Sequence, residues 1–145
     1  MALRSGVFLA LVSICSLTAI MPLVAAAQGV TIDGRFSPAQ TLTGPNYAIG
    51  ANLGKQVGAN LFHNFGQFGL STVESAAFSG SATISNVIGR VTGGNPSSID
   101  GRIQSNIIGA GLYLINSSGI VFRPHAAVNV SGTLSCFDRR LPEDV

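Results

Sequence analysis

The segment LYLINSSGIVFRPHAAVNV, residues 112–130, decides the predicted fold. It contains three short runs of branched or aromatic residues, at 112–115, 120–122 and 127–130, and such runs are typical of β-strands. The two segments that join them are only four residues long. Parallel strands in an open sheet need long crossovers, whereas a stacked β-solenoid turns its corners in short segments. A sandwich or barrel also suits many short strands, but the short joining segments favour the solenoid.

The rest of the chain also predicts strands in preference to helices. Glycine occurs 18 times, and a glycine inside a helix costs about 1 kcal/mol relative to alanine. Further strands are predicted at 31–32, 60–68 and 82–88. Turn-forming pairs separate the predicted strands: Asp33-Gly34, Gly93-Gly94, Asn95-Pro96, Asp100-Gly101, Ser118-Gly119 and Ser131-Gly132. The sequence therefore predicts an all-β chain.

The amino terminus has the pattern of a secretory signal. Arg4 precedes a nearly unbroken apolar run at residues 7–20, and three alanines follow at 25–27. This pattern predicts a signal peptide over residues 1–27, cleaved after Ala27. A membrane anchor is the alternative, but the apolar run is short for a membrane span and Pro22 interrupts it.

Composition excludes several classes of protein. The formal net charge is only +2 and the basic residues are scattered, so no stripe of lysine and arginine predicts nucleic-acid binding. Cys136 is the one cysteine that remains after residue 27, so an intramolecular disulfide is not possible there. We expect packing and backbone hydrogen bonds to stabilise the exported part of the chain.

The sequence offers little for catalysis or for cofactor binding. No serine lies in a Gly-x-Ser-x-Gly elbow, and the two histidines lack the close spacing of metal ligands. His63 is expected to be an exposed or half-buried strand residue, and His125 follows a proline in a turn. A carbohydrate-active β-helix enzyme would need acids clustered on one face, and Asp33, Glu74 and Asp100 are the candidates. We predict no catalytic residue, no cofactor and no metal site.

Three blocks of sequence, in order, resemble a known family. Residues 60–68, 86–101 and 112–130 resemble the amino-terminal domain of filamentous haemagglutinin-type exoproteins. The positions that carry the resemblance in the first two blocks are Asn60, Leu61, Phe62, His63, Phe65, Gln67, Phe68, Asn86, Arg90, Gly93, Gly94, Pro96, Asp100 and Gly101.

The resemblance implies a two-partner secretion domain over residues 28–137. Such a domain is a right-handed parallel β-helix that directs a large exoprotein through a dedicated barrel transporter in the outer membrane. It implies a secreted or cell-surface protein of a diderm bacterium that reaches the periplasm through the export machinery of the inner membrane. Folding of rungs outside the cell would then help to draw the chain across. A stand-alone exported module that binds carbohydrate or protein is the alternative interpretation.

One family motif is retained only in part. The family's Asn-Pro-Asn-Gly-Ile turn corresponds to residues 116–120, where Asn116, Gly119 and Ile120 match but the proline and the second asparagine are missing. The Asn-Pro-Asn-Leu motif of some members has no match in residues 78–85. We predict that Asn116 and Gly119 form a corner between rungs.

The last eight residues differ in character from the rest. Residues 138–145 carry five charged side chains, whereas charges are sparse over the preceding hundred residues. This change predicts a charged tail outside the solenoid, from a truncated or frame-shifted reading. The β-helix would then be incomplete at its carboxyl end, and contact with a host surface or carbohydrate would require a passenger that this sequence lacks.

Overall fold

The computed structural model describes residues 29–138, and this part of the chain is all-β with no α-helix. One turn of 3-10 helix lies at Ala51–Leu53. The strands are β1 (Gly29–Ile32), β2 (Gln40–Thr41), β3 (Asn46–Ile49), β4 (Lys55–Val57), β5 (Asn60–Gly69), β6 (Ser75–Phe78), β7 (Asn86–Val91), β8 (Ser97–Ile99), β9 (Arg102–Ser105), β10 (Gly111–Asn116), β11 (Ile120–Phe122), β12 (Ala127–Asn129) and β13 (Leu134–Phe137). The predicted signal peptide and the charged tail after Asp138 lie outside the described residues.

The strands stack into a parallel β-solenoid of about four turns. One sheet contains β5, β7, β10 and β13, a second contains β8 and β11, and a third contains β3, β6, β9 and β12. Every neighbouring pair within these three sets is parallel. Strands β10, β11 and β12 form one complete turn, so the three runs of residues 112–130 occupy three different sheets. The predicted β-solenoid is therefore confirmed.

One of the predicted strands differs from the structure in its bounds. The run at 120–122 is strand β11, and the runs at 31–32, 60–68, 112–115 and 127–130 each fall on a strand. The predicted strand at 82–88 is wrong in its first half, because β7 begins only at Asn86. Ser81 explains this difference: its hydroxyl accepts a hydrogen bond from the Thr83 N–H and its carbonyl accepts one from the Ile84 N–H, which closes a turn.

Inward-facing side chains form columns along the solenoid axis. Leu61, Val87 and Leu112 lie opposite one another on β5, β7 and β10, and all three are buried. Tyr47, Ala76 and Ile103 form the corresponding buried column of the third sheet. Because side chains alternate across a strand, the remaining positions face outward. The core is thus a continuous apolar stack, filled turn by turn.

The first sheet of this stack is covered at its amino-terminal edge. Strand β5 is parallel to β7 on one side, and on its other side β1 and β4 pair with it in antiparallel fashion. Strand β2 then pairs with β1. We call residues 29–57, which contain β1 to β4, the amino-terminal cap.

The carboxyl end of the described residues is different. Strands β11, β12 and β13 each pair with only one neighbour there. Four large apolar side chains are exposed on these strands: Val121, Phe122, Val128 and Phe137. We call this set of strand edges the open end.

Candidate functional site

The best-defined polar site is a corner at the end of β10. The side chain of Asn116 is buried, and its amide nitrogen donates hydrogen bonds of 2.9 Å to the Asn95 carbonyl and to the Ser97 hydroxyl. Its amide oxygen accepts a 2.9 Å bond from the Ser118 N–H. One side chain therefore holds its own turn and the equivalent turn of the preceding rung. A buried amide with all its hydrogen bonds made fixes the position of the backbone, because leaving one of these groups unpaired would cost free energy.

Gly119 completes this corner. Its φ angle is +116°, in the region that side chains with a Cβ rarely adopt. Its N–H donates to the Asn116 carbonyl at 3.1 Å, and its own carbonyl accepts from the Ser97 N–H at 2.9 Å. The next residue, Ile120, begins β11 opposite Ser97 and is half-buried. Ser117, at the position of the family's proline, is exposed.

The corner of the preceding rung lies directly against this one. It contains Gly93, Gly94 and Pro96, and all three are exposed. Gly93 is nevertheless in close contact with the rung before it, because a Cβ there would collide with the Gly66 carbonyl. Pro96 lies next to Gly119. Two successive corners and the adjoining part of β5 at Gly66 therefore stack in contact on this side of the solenoid.

A second stack of corners centres on Asp100. One carboxylate oxygen accepts a 2.9 Å bond from the His125 N–H, and the other accepts a 2.9 Å bond from the Thr72 hydroxyl. The bond from the His125 backbone is the main reason why the pKa of Asp100 is lowered. Gly101 follows, and its carbonyl accepts a bond from the Ala127 N–H. One aspartate thus connects three successive turns.

The first block of family-like residues lies on β5. Leu61, Phe65 and Phe68 are buried in the core, whereas Phe62 faces outward and is half-buried. Gln67 is partly buried near the end of this strand. Most of these residues therefore build the first complete rung.

Asn60, Asn86 and Arg90 lie on the outward face of β5 and β7. The Asn86 amide donates a 2.9 Å bond to the Asn60 amide oxygen across the two parallel strands. Arg90 is exposed and borders a shallow groove with Arg35. These three residues therefore lie on the outward face of the first sheet, apart from the two stacks of corners.

His63 corrects an expectation from the sequence. It was expected to be exposed or half-buried, but it is fully buried because strand alternation places it on the same side as Leu61 and Phe65. Its ring stacks on Phe65 and meets the edge of Phe78, with centroid separations of 5.9 and 5.7 Å. Neither ring nitrogen has a hydrogen-bond partner among the described residues. Desolvation lowers the pKa of His63 to about 4, so the ring is neutral at pH 7.

The three acidic residues considered for an enzyme are each held by internal hydrogen bonds. Asp33 accepts a bond from the Thr92 hydroxyl, and Glu74 accepts bonds from Tyr47 and from the Ser71 N–H. Within residues 29–138, no group of three histidine, cysteine or acidic side chains is placed to bind a metal ion. No helix in the same residues is long and apolar enough to span a membrane.

Sequence reasoning did not identify the partners of these corners. The sequence does not indicate that Asn95, Ser97, Thr72 and His125 supply the hydrogen bonds that join rungs. The usable signal is spacing, since Thr72, Asp100 and His125 are separated by 28 and 25 residues, about one turn each. That signal can be read only when the length of a turn is known.

Comparison with known proteins agrees with this geometry. A family model described as the TPS secretion domain matches residues 28–135. No curated protein gives a significant match to the chain. The matched residues contain all the described strands except the last part of β13, and they include both stacks of corners. The chain therefore belongs to the two-partner secretion (TPS) domain family.

Proposed function

We propose that this chain is the non-enzymatic targeting domain of a filamentous haemagglutinin-like exoprotein. It directs the exoprotein through a dedicated barrel transporter in the outer membrane. In this proposal residues 1–27 send the chain to the inner-membrane export machinery, and residues 28–137 then engage the transporter.

The observation that carries the proposal is the difference between the two ends of the solenoid. The amino-terminal cap occupies the outer edge of β5, whereas the edges of β11, β12 and β13 have no further strand among the described residues. The outer edge of β5 is thus blocked by antiparallel strands, whereas the edges of β11, β12 and β13 can accept a further parallel strand. A domain that folds first and then serves as a template for later rungs needs this polarity.

The composition supports passage through a pore in an unfolded state. Cys136 is the one cysteine after residue 27, so no intramolecular disulfide can close a loop that would block a narrow channel. Charged residues are few, and net charge is near neutral. Once outside, burial of the apolar columns favours folding and opposes return of the chain.

The stacked corners supply a way to propagate folding. Asn116 bonds to Asn95 and Ser97 of the rung before it, and Asp100 bonds to groups on the rungs before and after it. Each corner therefore acquires its full set of hydrogen bonds only when its neighbour is in place. This arrangement favours rung-by-rung folding from the cap.

Export of the full chain from a diderm host would test the proposal. The chain is expressed with and without a two-partner transporter from the source genome, and the protein in the medium and in the periplasm is quantified. We expect it in the medium only when the transporter is present. Equal amounts in the medium without the transporter would contradict the targeting function.

A pair of variants tests the role of the corner in the same assay. Asn116→Ala together with Gly119→Val should reduce the exported fraction, because the corner loses its hydrogen bonds and its permitted φ angle. Asn129→Ala is the matched control, since Asn129 is exposed on β12. If both variants are exported as well as the parent chain, the corner has no special role in secretion.

A further inference from the structure

A short segment of the amino-terminal cap lies against the buried ring of His63. We call residues 51–57, which contain the 3-10 turn and β4, the flap. Gly54 of the flap is close to the ring, since a Cβ at that position would collide with the Phe62 carbonyl and with Nδ1 of His63. The flap therefore forms part of the enclosure of His63, which has no exposed surface.

Few interactions among the described residues hold the flap in place. None of the residues in its 3-10 turn is buried, and all three residues of β4 are exposed. The Leu53 carbonyl accepts a 3.1 Å bond from the Ser37 hydroxyl, and the Gln56 amide donates a 3.3 Å bond to the Thr83 hydroxyl. Strand β4 pairs with β5 over only three residue pairs. Opening of the flap would expose little apolar surface, so it costs less free energy than unfolding a rung.

The surroundings of the His63 ring are apolar. The ring packs on Phe65 of its own strand and on Phe78 of β6, and the residue opposite it on β7 is Gly89. Neither ring nitrogen has a hydrogen-bond partner within residues 29–138. A protonated imidazole carries a charge and two N–H donors, and all of these would be uncompensated at this position. The closed flap is therefore compatible only with the neutral ring.

The charged groups on the elements packed against His63 do not compensate a positive ring. Strands β5 and β6 carry no acidic residue and no lysine or arginine. Lys55 of the flap and Arg90 of β7 are exposed on the outward face, and both are positive. Arg35, in the loop after β1, is exposed and pairs with Asp33 at 3.9 Å. Burial is the cause that lowers the pKa of His63 to about 4.

We propose that protonation of His63 opens the flap, so that the amino-terminal cap is an acid-sensitive cover of β5. The open flap lets water reach the imidazolium ring while the rungs stay folded. It also uncovers the backbone groups of β5 that pair with β4, at Asn60, Leu61 and Phe62. An uncovered strand edge pairs readily with another strand, so acid makes this edge available for association. This behaviour does not depend on the transporter.

The size of the effect follows from the two states of the flap. With the flap closed the pKa of His63 is about 4, whereas a hydrated imidazole has a pKa near 6.5. Between these values the open state takes up the proton first, so each fall of one pH unit favours opening by about tenfold. From pH 7.5 to pH 4.5 the ratio of open to closed flap should rise about 70-fold.

Hydrogen exchange of the full chain at pH 7.5 and pH 4.5, corrected for the intrinsic exchange rate at each pH, tests the proposal. Protection of the β4 amides should fall about 70-fold at pH 4.5. Addition of about 0.5 M urea should leave β4 protection unchanged, since local opening exposes little surface, but should lower the protection of β10. His63→Leu should reduce the pH effect on β4 to less than about threefold. Ile103→Leu is the matched control, since it changes another buried residue and keeps the histidine, so the full fall should remain.

The opposite results would overturn the proposal. An equal fall of β4 protection in His63→Leu would place the titrating group elsewhere. A fall of less than about threefold in the parent chain would show that the flap stays closed in acid. A urea dependence of β4 equal to that of β10 would show that acid acts through unfolding of whole rungs.

A second variant keeps the test decisive if His63→Leu lowers the thermal unfolding midpoint at pH 7.5. The Cβ of Gly54→Ala would displace the flap from Phe62 and His63, so β4 protection should already be low at pH 7.5. Acid should then lower it by less than about threefold, because the ring is hydrated at both pH values. A full 70-fold fall, about the value expected of the parent chain, would contradict the proposal.

Discussion

The two ends of the solenoid differ in how their strand edges and apolar side chains are covered. At the amino-terminal end, β1 and β4 pair with the outer edge of β5, and Phe65 and Phe78 are fully buried beneath the cap. At the open end, β11, β12 and β13 have a free edge among the described residues, and Phe122 is 43% exposed.

This difference indicates that the stabilising free energy is distributed unevenly along the solenoid axis. Apolar burial contributes roughly 25 cal/mol per Å² removed from water, so the rungs from the cap to β10, whose inward side chains are buried, contribute more stabilising free energy than β11 to β13. An uncovered parallel edge exposes backbone donors and acceptors that pair readily with another strand. The open end is therefore suited to receive a further rung, and the capped end to support it.

The largest expected effect comes from removing an aromatic ring at each end. Phe65→Ala at the capped end should lower the free energy of unfolding by about 3–5 kcal/mol, because it leaves a cavity in a closed core. Phe122→Ala at the open end should cost less than about 1 kcal/mol, since its ring is partly solvated already. Urea unfolding of both variants measures the two values. Equal losses would show that the two ends are equally well packed.

Acid should destabilise the capped end through His63. Its pKa is lowered by burial to about 4, whereas the unfolded chain has a pKa near 6.5. Below pH 6.5 the unfolded state takes up the proton first, so the free energy of unfolding falls by about 1.4 kcal/mol per pH unit until about pH 4. The total loss is about 3 kcal/mol, and above pH 6.5 His63 contributes no pH dependence.

Unfolding measured from pH 7 to pH 4.5 checks this expectation. His63→Leu should flatten the profile over that range, because a similar apolar volume is kept and the proton site is removed. Phe62→Leu is the control, since Phe62 lies beside His63 on the outward side of β5 and does not titrate, so the slope should remain. A slope that persists in His63→Leu would exclude His63 as its source.

The Asn116 corner should show an intermediate effect. Asn116→Ala removes three side-chain hydrogen bonds and leaves the Asn95 carbonyl and the Ser97 hydroxyl without this partner, so about 1–3 kcal/mol of stability should be lost. The exposed Asn129, one strand from the open end, should tolerate the same change within about 0.5 kcal/mol. Thermal unfolding of the two variants gives the comparison. A similar shift in both would mean that the bonds of Asn116 add little.

The smallest effect on stability is expected from Val128→Lys at the open end. Val128 is exposed and lies opposite buried Ile103 of β9, so its replacement should change stability by less than about 1 kcal/mol. A lysine on an edge strand should nevertheless reduce self-association. Light scattering against protein concentration measures this property. Ile108→Lys is the control, since Ile108 is exposed in a turn and lies on no strand edge, and an equal reduction there would indicate a general effect of charge.

The sequence predicts the solenoid because its fold signal is local. The four-residue joining segments on either side of β11 are visible without any knowledge of tertiary contacts. Strand β6 was not predicted because its sequence, SAAF, has few branched residues, and it forms a strand through pairing with β3 and β9. Strand β8 was not predicted because its sequence, SSI, has one branched residue, and it forms a strand through pairing with β11 one rung further along.

The placement of individual side chains depends on tertiary structure even more than the formation of these strands does. Asn46, Ser75 and Arg102 are 29 and 27 residues apart, and only the register of three parallel strands brings them into one row. Similarly, the burial of His63 depends on which face of β5 turns inward and on the cap that covers it. Neither fact can be obtained from residue spacing before the turns have been located.

Hydrogen exchange, followed strand by strand in the full chain, tests most directly the claim that the solenoid is stable at its capped end and open at the other. Amides of β5 and β7 should exchange most slowly, those of β10 at an intermediate rate, and those of β11, β12 and β13 fastest. Protection of β11 to β13 equal to that of β5 would contradict the claim, because the open end would then be as firmly held as the capped one.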